Sequence, residues 1–441
     1  MAEHSRHRLN EPGPYHRANR CHRAACPANG ESVSNRFAIV IALLGAMPGV
    51  YLRLTHTEIG TIPDTVLFGL SIVSSAFLLS WAAEASEVEI AQGLAVAFIA
   101  LIAVLPEYAV DMTFAWKAAQ DPEFAPYAVA NMTGGNRLLI GGAWPAIFLV
   151  FWWRSRQKVL HLERAHAVEI AALAAATLFS LTLPLKDSIT LIDTAILAAL
   201  FILYVWVIAR APSEEPELVG PALFIGTLPR MQRRGAIIAL FLASAGSIFA
   251  SAEPFAEGLV HTGTKLGIDE FVLVQWLAPF ASEAPEFLVA GILAYRGRAT
   301  VAMGALLSSK VNQWTLLIGG LPIAYAVSGG HVEGLPLDLR QKEELFLTAA
   351  QSYFALAVVM SLSLSGREAI ALAVLFFLQF AIPVESIRMA IGVTYMVLGT
   401  ILLFRERSDI LRVLRISRAG IRDPKTLGEP LEGHSEAGAP T

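Results

Sequence analysis

Carboxylate side chains occur midway along two long apolar stretches of this sequence, where charged groups are rare. Within residues 276–319, Ser282, Glu283 and Glu286 interrupt an apolar run, and Pro285 immediately precedes the second glutamate. The two glutamates are three residues apart, so a helix would place both carboxylates on one face. Carboxylate and hydroxyl oxygens are hard ligands that suit Na⁺, Ca²⁺ or a proton. The segment therefore predicts a site that binds cations or protons.

A weaker version of this pattern lies in residues 100–141. Pro106 precedes Glu107 there, and Asp111 follows four residues later. Two similar elements in two halves of a chain are typical of a repeat-built transporter, whose binding site lies where the repeats meet. The neutral residues that we expect to add oxygen atoms to this site are Asn131, Asn136, Ser309 and Gln313.

Arg137 and Lys310 lie close in sequence to these polar groups. A cation that faces lipid is costly, so we expect each of them to pair with Asp111 or Glu283. A lone Asn or Ser in a membrane helix usually makes a contact between helices, and that reading remains open for Asn131. Glu107 is favoured as a functional residue because it is central, follows a proline and has a counterpart in the other half.

The composition indicates a polytopic helical membrane protein. Hydrophobic residues make up 55% of the 441 residues and charged residues only 16%, with a mean hydropathy of +0.56. These values exclude an ordinary soluble domain. Cys21 and Cys26 both lie in the N-terminal tail and imply no disulfide framework. No span carries an HExxH or GxSxG motif, and we expect no enzyme activity, no cofactor and no nucleic-acid partner.

Apolar stretches suited to a hydrocarbon core of roughly 30 Å follow one another along the chain. We predict an all-α fold of about twelve transmembrane helices. The predicted spans are 36–54, 62–82, 89–116, 124–152, 166–184, 188–209, 235–255, 269–295, 299–327, 345–364, 367–383 and 385–404. Whether the last pair is two helices or one broken helix stays open.

Loop charges give the orientation. Lys and Arg gather in the even-numbered connections, such as 154–166 and 210–234, which places both termini in the cytoplasm. We expect a multi-pass protein of a bacterial inner (plasma) membrane. The two Pro-Glu helices are then spans three and eight and cross in opposite directions, as inverted-topology repeats do. The core is five plus five helices with discontinuous Pro-Glu helices, and one extra helix stands at each end.

This organisation predicts five segments. They are a disordered basic cytoplasmic tail (1–35), a first half (36–209) with its repeat at 89–152, a cytoplasmic linker (210–234), a second half (235–404) with its repeat at 269–327, and a cytoplasmic tail (405–441). The part of that last tail after Ser417 is polar and is expected to be disordered.

The repeat motifs resemble those of the calcium/cation antiporter superfamily, which includes sodium/calcium and proton/calcium exchangers. Its repeats run as [TS]-S-L-P-E followed by G-N-x-x-G-S-N-I-x-[ND]. The segments AVLPE (103–107) and SEAPE (282–286) resemble the first motif, and ANMTGGN (130–136) and GALLSSK (304–310) resemble the second. The resemblance implies cation antiport, with Glu107 and Glu286 binding ions, including metal ions, at the centre.

Several positions depart from the family pattern. Ala103 and Val104 replace hydroxyl residues, and Gly135 replaces the first-repeat serine, whereas Ser309 is kept. The late Asn/Asp positions are Leu139 and Gln313, and neither Arg137 nor Lys310 has a counterpart in the pattern. A site for three sodium ions and calcium should be weakened by these losses, while the central acid pair remains.

We therefore expect a secondary antiporter that exchanges Na⁺, K⁺ or Ca²⁺ for protons by alternating access. Its partners would be the transported cations, protons and the lipid bilayer. In this hypothesis Arg137 or Lys310 takes the place of a co-bound cation. A sodium/calcium exchanger is the second reading, and a transport-inactive membrane scaffold or sensor is the third.

Overall fold

The computed structural model describes residues 29–89, 104–211, 218–382 and 384–428, and most of them are helical. A helix or a helical stretch occupies each predicted span, although the beginning of the third span lies outside the described residues. The helices of the first half are α1 (Asn29–Thr55), α2 (Thr61–Ser86), α3 (Leu105–Ala118), α4 (Ala125–Leu138), α5 (Trp144–Ser155), α6 (His166–Ser180) and α7 (Leu191–Ile208).

The second half follows a short helix in the connection between the halves. That short helix is α8 (Gly220–Gly226). The helices after it are α9 (Arg230–Leu266), α10 (Glu270–Tyr295), α11 (Ala299–Asn312), α12 (Ile318–Gly329), α13 (Leu339–Val359), α14 (Gly366–Ala381), α15 (Glu385–Arg405) and α16 (Arg407–Arg422). Eight helical stretches among the described residues are long and apolar enough to cross a membrane. α14 and α15 are separate helices, so the last predicted pair is two helices and not one broken helix.

Some boundaries differ from the sequence-based expectation. α1 begins at Asn29, inside the predicted tail, and α8 forms within the predicted linker. Disorder after Ser417 was also expected, but α16 continues to Arg422 and a 3-10 helix follows at Pro424–Gly428. The reason is packing against α6: Ser417 is buried, and its hydroxyl donates a hydrogen bond to the Ala167 carbonyl at 2.7 Å.

The two halves share a helix–π–helix unit with the same internal lengths. π-helical segments join α4 to α5 (Leu139–Ala143) and α11 to α12 (Gln313–Leu317). Each of the three segments in the second half begins 174 residues after its counterpart in the first half, as the helix starts Ala125 and Ala299 illustrate. Such π segments are rare and occur mostly at functional sites. The internal repeat is therefore structural as well as sequential.

Two short antiparallel strand pairs connect the halves at their loops. β1 (Val159–His161) pairs with β4 (Ser363–Ser365), and β2 (Ser188–Ile189) pairs with β3 (Leu335–Pro336). β1 and β4 lie in the fourth and tenth connections between spans, and β2 and β3 lie in the fifth and ninth. Paired loops must share a side of the membrane, so the pairs agree with the alternation of twelve spans and mark two opposite faces.

Matching capping boxes begin the helices that follow β2 and β4. The hydroxyl of Thr190 caps the first turn of α7 together with Asp193, and Ser365 and Glu368 do the same for α14. The second box follows the first by 175 residues. A cap satisfies backbone N–H groups that a helix end leaves free. The repeat thus extends from the Pro-Glu helices to the last helix of each five-helix core, α7 in the first and α14 in the second.

The start of α9 is fixed to the end of α2 by Glu89. Its carboxylate accepts hydrogen bonds from Arg233 and from Nε of Arg234, the latter at 2.5 Å. Burial alone would raise the pKa of Glu89, but the two guanidinium groups outweigh it and hold the pKa below its usual range. α2 and α9, the first helices of the two five-helix cores, pack along each other.

Candidate functional site

The two Pro-Glu helices present their acids differently. Glu107 lies in the first turn of α3, directly after Pro106, whereas α10 continues through Pro279 and Pro285. α10 therefore continues through Pro285 without a break, whereas α3 begins at its Pro-Glu pair. Membrane helices tolerate proline because hydroxyl side chains and neighbouring helices can satisfy the freed backbone groups. The hydroxyl of Ser282 lies 3.2 Å from the Ala278 carbonyl oxygen in the preceding turn.

A pair of glycines in α4 allows the acids to approach one another. A Cβ atom on Gly135 would lie 2.3 Å from Oε1 of Glu283 and 3.4 Å from Oε1 of Glu107. A Cβ on Gly134 would lie 1.7 Å from the backbone oxygen of Gln275 in α10. The glycine that replaces the family's serine thus gives space rather than a ligand. It lets α10 and its carboxylates lie against α4.

Four acids form one electrostatic cluster. Glu107 interacts with Glu283, Asp111 and Glu286. Three of the four carboxyl groups are buried to 4% exposure or less, and Glu286 is half-buried. The two Pro-Glu helices are far apart in the sequence, so only the fold brings these groups together.

Three of these acids accept a hydrogen bond from a neutral side chain that the sequence singled out. Asn131 donates to Asp111 at 2.8 Å, Gln313 donates to Glu283 at 2.9 Å, and Ser309 donates to Glu286 at 2.7 Å. Several oxygen atoms of this cluster have no hydrogen-bond partner among the described residues. They are Asp111 Oδ2, Asn131 Oδ1, Glu283 Oε2 and Gln313 Oε1.

Lys310 does not make the ion pair that was expected with Glu283 or Asp111. Its ammonium group instead donates to the side-chain and backbone oxygens of Asn136 and lies 4.5 Å from the ring centroid of Trp314. Glu283 is within electrostatic range of the lysine. The reason is geometric: Lys310 points across the interface towards α4. Asn136 consequently binds a cation of the protein itself.

Arg137 is likewise paired with a group that the sequence reading missed. Its guanidinium lies 2.6 Å from Oε2 of Glu344 in α13 and stacks over the ring of Trp276. Glu344 also accepts from Gln275 at 2.9 Å and pairs with Arg388 of α15 at 2.9 Å. The predicted tenth span covers 345–364 and leaves Glu344 in the loop before it. α13 begins at Leu339 and carries this glutamate inside.

A cavity of about 450 Å³ runs along one face of α3. It is lined at one end by Tyr108, the neighbour of Glu107, and at the other by Lys117 and by Glu253 of α9. The Tyr108 hydroxyl donates to Asn312 at 3.1 Å. Lys117 pairs with Glu257 at 2.5 Å and with Glu253 at 3.1 Å. The cavity therefore connects the level of the acids with a charged cluster at the end of α3.

The site combines hard oxygen ligands, buried acids and one buried cation. No group of three or more His, Cys, Asp or Glu side chains in the described ranges has the arrangement of a preformed metal centre. Oxygen atoms without a hydrogen-bond partner among the described residues are contributed by both halves of the chain. Such oxygens can bind either a proton or a hard cation, and each would exclude the other.

Buried acids at the junction of two inverted repeats define the class of secondary transporters. Comparison with known proteins narrows this class. The sequence profile described as "Sodium/calcium exchanger protein" matches residues 65–210 and 236–384, and the chain belongs to this family. The search of curated proteins gives no match.

Solved structures of two other proteins are similar to this chain. The crystal structure of the H⁺/Ca²⁺ exchanger CAX is 40% identical in sequence and has a TM-score of 0.86, covering 89% of this chain and 99% of that one. Native YfkE is 15% identical with a TM-score of 0.58, covering 78% of this chain and 98% of its own. Selenium-substituted YfkE, described as a Ca²⁺/H⁺ antiporter, is 15% identical in sequence and has a TM-score of 0.57. The likeness to YfkE concerns the fold alone.

Proposed function

We propose that this chain is a secondary antiporter that exchanges Ca²⁺ for protons across the membrane. The observation that carries the proposal is the cluster of Glu107, Asp111, Glu283 and Glu286, in which Glu107 and Glu283 approach each other across Gly135 and buried oxygens of Asp111 and Glu283 have no partner among the described residues. Ca²⁺ takes six to eight oxygen ligands, including carboxylates and amide carbonyls. The similarity to an H⁺/Ca²⁺ exchanger supports Ca²⁺ over Na⁺ or K⁺ as the cation.

Competition for the same oxygens provides the coupling. An unpaired carboxylate out of water is costly, and either a proton or a cation removes that cost. Glu107 and Glu286 therefore carry protons when Ca²⁺ is absent and release them when it binds. Lys310 adds one fixed positive charge, which limits the number of cations that the site accepts. The two inverted halves then expose the site to each side in turn.

We further propose that the face with β1 and β4 is cytoplasmic in a bacterial inner membrane. The support is the group of positive residues in the loops of that face, such as Arg154, Arg156 and Arg367. Both termini would then lie in the cytoplasm.

Flux measurements in reconstituted vesicles test the function. Wild-type protein is assayed with a pH-sensitive dye inside the vesicles while Ca²⁺, Na⁺ or K⁺ is added under an imposed pH gradient. We expect Ca²⁺-dependent proton movement that is lost in Glu107→Gln and Glu286→Gln. The surface variant Asp187→Asn, at a 99% exposed side chain, serves as the control with unchanged flux.

Two outcomes would contradict the proposal. Sodium-driven Ca²⁺ flux without pH dependence would identify a sodium/calcium exchanger instead. An absence of flux with every cation, in protein that is folded and correctly inserted, would favour a membrane scaffold.

A further inference from the structure

The repeat places a second buried glutamate in each half, and the two have different surroundings. The capping boxes of α7 and α14 are 175 residues apart, and in the same register Glu169 of α6 corresponds to Glu344 of α13. Glu344 is neutralised by Arg137 and Arg388. Glu169 is 8% exposed, and within the described part of the chain no Lys or Arg forms an ion pair with it.

The difference follows from one residue of the helix–π–helix unit. Arg137 supplies the counter-charge to Glu344, and its repeat counterpart, 174 residues later, is Val311. Among the described residues no arginine therefore takes the corresponding place beside Glu169, and the Oε2 atom of Glu169 lacks a hydrogen-bond partner there. A buried ionisable group in a membrane protein without a counter-charge marks a functional site by default.

The groups around Glu169 can receive or hold protons. His166 lies one helical turn before it, Glu163 lies in the preceding loop, and Tyr204 of α7 interacts with it electrostatically. The backbone N–H of Glu163 donates to Nδ1 of His166 at 3.0 Å, which leaves Nε2 to carry the imidazole proton. α11, α13 and α16 also pack against α6, and no described residue on them adds a strong charge interaction with Glu169.

This cluster contacts the helix that carries the central serine. Nε2 of His166 lies against Gly304 of α11, and the Tyr204 hydroxyl forms a 2.8 Å hydrogen bond with Ser308 one turn later. The next residue, Ser309, donates to Glu286 at 2.7 Å. Glu169 is in the first turn of α6, close to β1, whereas the cavity along α3 approaches Glu107.

We infer that Glu169 is a proton-binding residue of the exchanger, linked to the central site through Tyr204 and Ser308. A proton from water on the side of β1 and β4 binds a carboxylate oxygen of Glu169. The carboxylate of Glu169 gains this proton from water and returns it to water on the same side, so only the O–H bond forms and breaks. Its change of charge acts on Tyr204, whose hydroxyl is hydrogen-bonded to Ser308, next to the serine that donates to Glu286. The inference rests on the proposed proton antiport.

The test compares Glu169→Gln with Glu169→Asp in full-length protein. Rates of Ca²⁺-driven proton movement are measured in sealed vesicles over a range of pH, and equilibrium Ca²⁺ binding is measured in detergent with radioactive calcium. We expect Glu169→Gln to lower the proton flux about tenfold or more and to displace its pH profile, with Ca²⁺ binding retained. Glu169→Asp, which keeps a carboxyl group, should restore most of the flux.

Two further variants separate this role from a structural one. Glu344→Gln, the repeat counterpart, should lower thermal stability because the buried Arg137 loses its ion pair and Arg388 keeps only Glu343, and it should keep the pH profile of the remaining flux. Tyr204→Phe removes the hydroxyl that is bonded to Ser308 and should slow proton flux, so it tests the link to the central site even if Glu169→Gln fails to fold. Asp187→Asn is the unchanged surface control.

Failures of the two proposals are distinguishable. If wild-type vesicles show no proton-coupled flux, the proposed antiport itself is wrong. If wild type exchanges Ca²⁺ for protons but Glu169→Gln and Tyr204→Phe match it at every pH, only the role of Glu169 is overturned. Loss of equilibrium Ca²⁺ binding in stable Glu169→Gln protein would also overturn it, by placing the residue in the cation site.

Discussion

Two neighbouring glycines of α4 have separable roles. An added methyl at Gly134 meets the backbone of Gln275, which cannot move without displacing α10, whereas one at Gly135 meets the end of the Glu283 side chain. We expect Gly134→Ala to lower the free energy of unfolding by about 1–3 kcal/mol or more. Gly135→Ala should fold and lose most of its Ca²⁺ flux, because the acids are pushed apart.

Thermal unfolding in detergent and vesicle flux measure these two effects. Gly142→Ala is the matched control, since its nearest neighbour is the flexible end of Leu138 at 3.3 Å. Equal losses of stability in the Gly134 and Gly135 variants would show that both glycines serve packing only.

Lys310 sets the charge of the site. Its ammonium group is fully buried and lies within electrostatic range of Glu283 and Glu107. Lys310→Met removes one positive charge from the cluster and should tighten Ca²⁺ binding about tenfold, equivalent to about 1.4 kcal/mol of relieved repulsion. Calcium titration in detergent measures this, with Lys342→Met at the surface as the control. Weaker binding would mean that Lys310 chiefly positions Asn136.

At the level of elements, the cavity between α3 and α9 predicts an entry route with a charged mouth. Lys117 pairs with Glu253 and Glu257 there, and each of these glutamates is 42% exposed. Lys117→Gln frees the Glu257 carboxylate, while Glu253 keeps its pair with Arg53. The added negative charge should attract Ca²⁺ and lower the half-saturating concentration for flux by up to about tenfold.

This effect on entry should disappear at high salt, because exposed charges are screened. The matched control is Lys342→Gln, which breaks the 2.6 Å pair with Asp187 on a connection away from the cavity. An unchanged half-saturating concentration at low salt would exclude this cavity as the Ca²⁺ route.

For the whole molecule, the strand pairs predict which loops share a side of the membrane. Lys158 and Arg367 adjoin β1 and β4, whereas Asp187 and Glu333 adjoin β2 and β3, and all four side chains are exposed. The chain has two cysteines, Cys21 and Cys26, so replacing both by serine gives a clean background.

Single cysteines at these four loop positions then report their side through labelling by a membrane-impermeant maleimide in intact cells. We expect the positions near β2 and β3 to be labelled from outside and those near β1 and β4 only after permeabilisation. Labelling of a position from each strand pair on the same side would contradict the inverted topology.

The sequence by itself determined the class of the fold and singled out most of the polar residues that the structure brings together in the candidate site. Without water in the bilayer core, each span must satisfy its backbone internally, so apolar length alone predicts helices. The distribution of Lys and Arg among the loops then predicts how the helices are oriented across the membrane. Glu107, Glu286 and the neutral donors Ser309 and Gln313 were found this way, because polar atoms at membrane depth stand out locally.

Only the tertiary structure decided which charge meets which. Arg137 pairs with Glu344, and Lys310 meets Asn136, through contacts that join helices of different halves. The partner of a buried charge depends on which helix faces pack together, and sequence spacing does not contain that information. The same packing leaves Glu169 without the arginine that its repeat counterpart has. A near-symmetric sequence repeat thus became an asymmetric site.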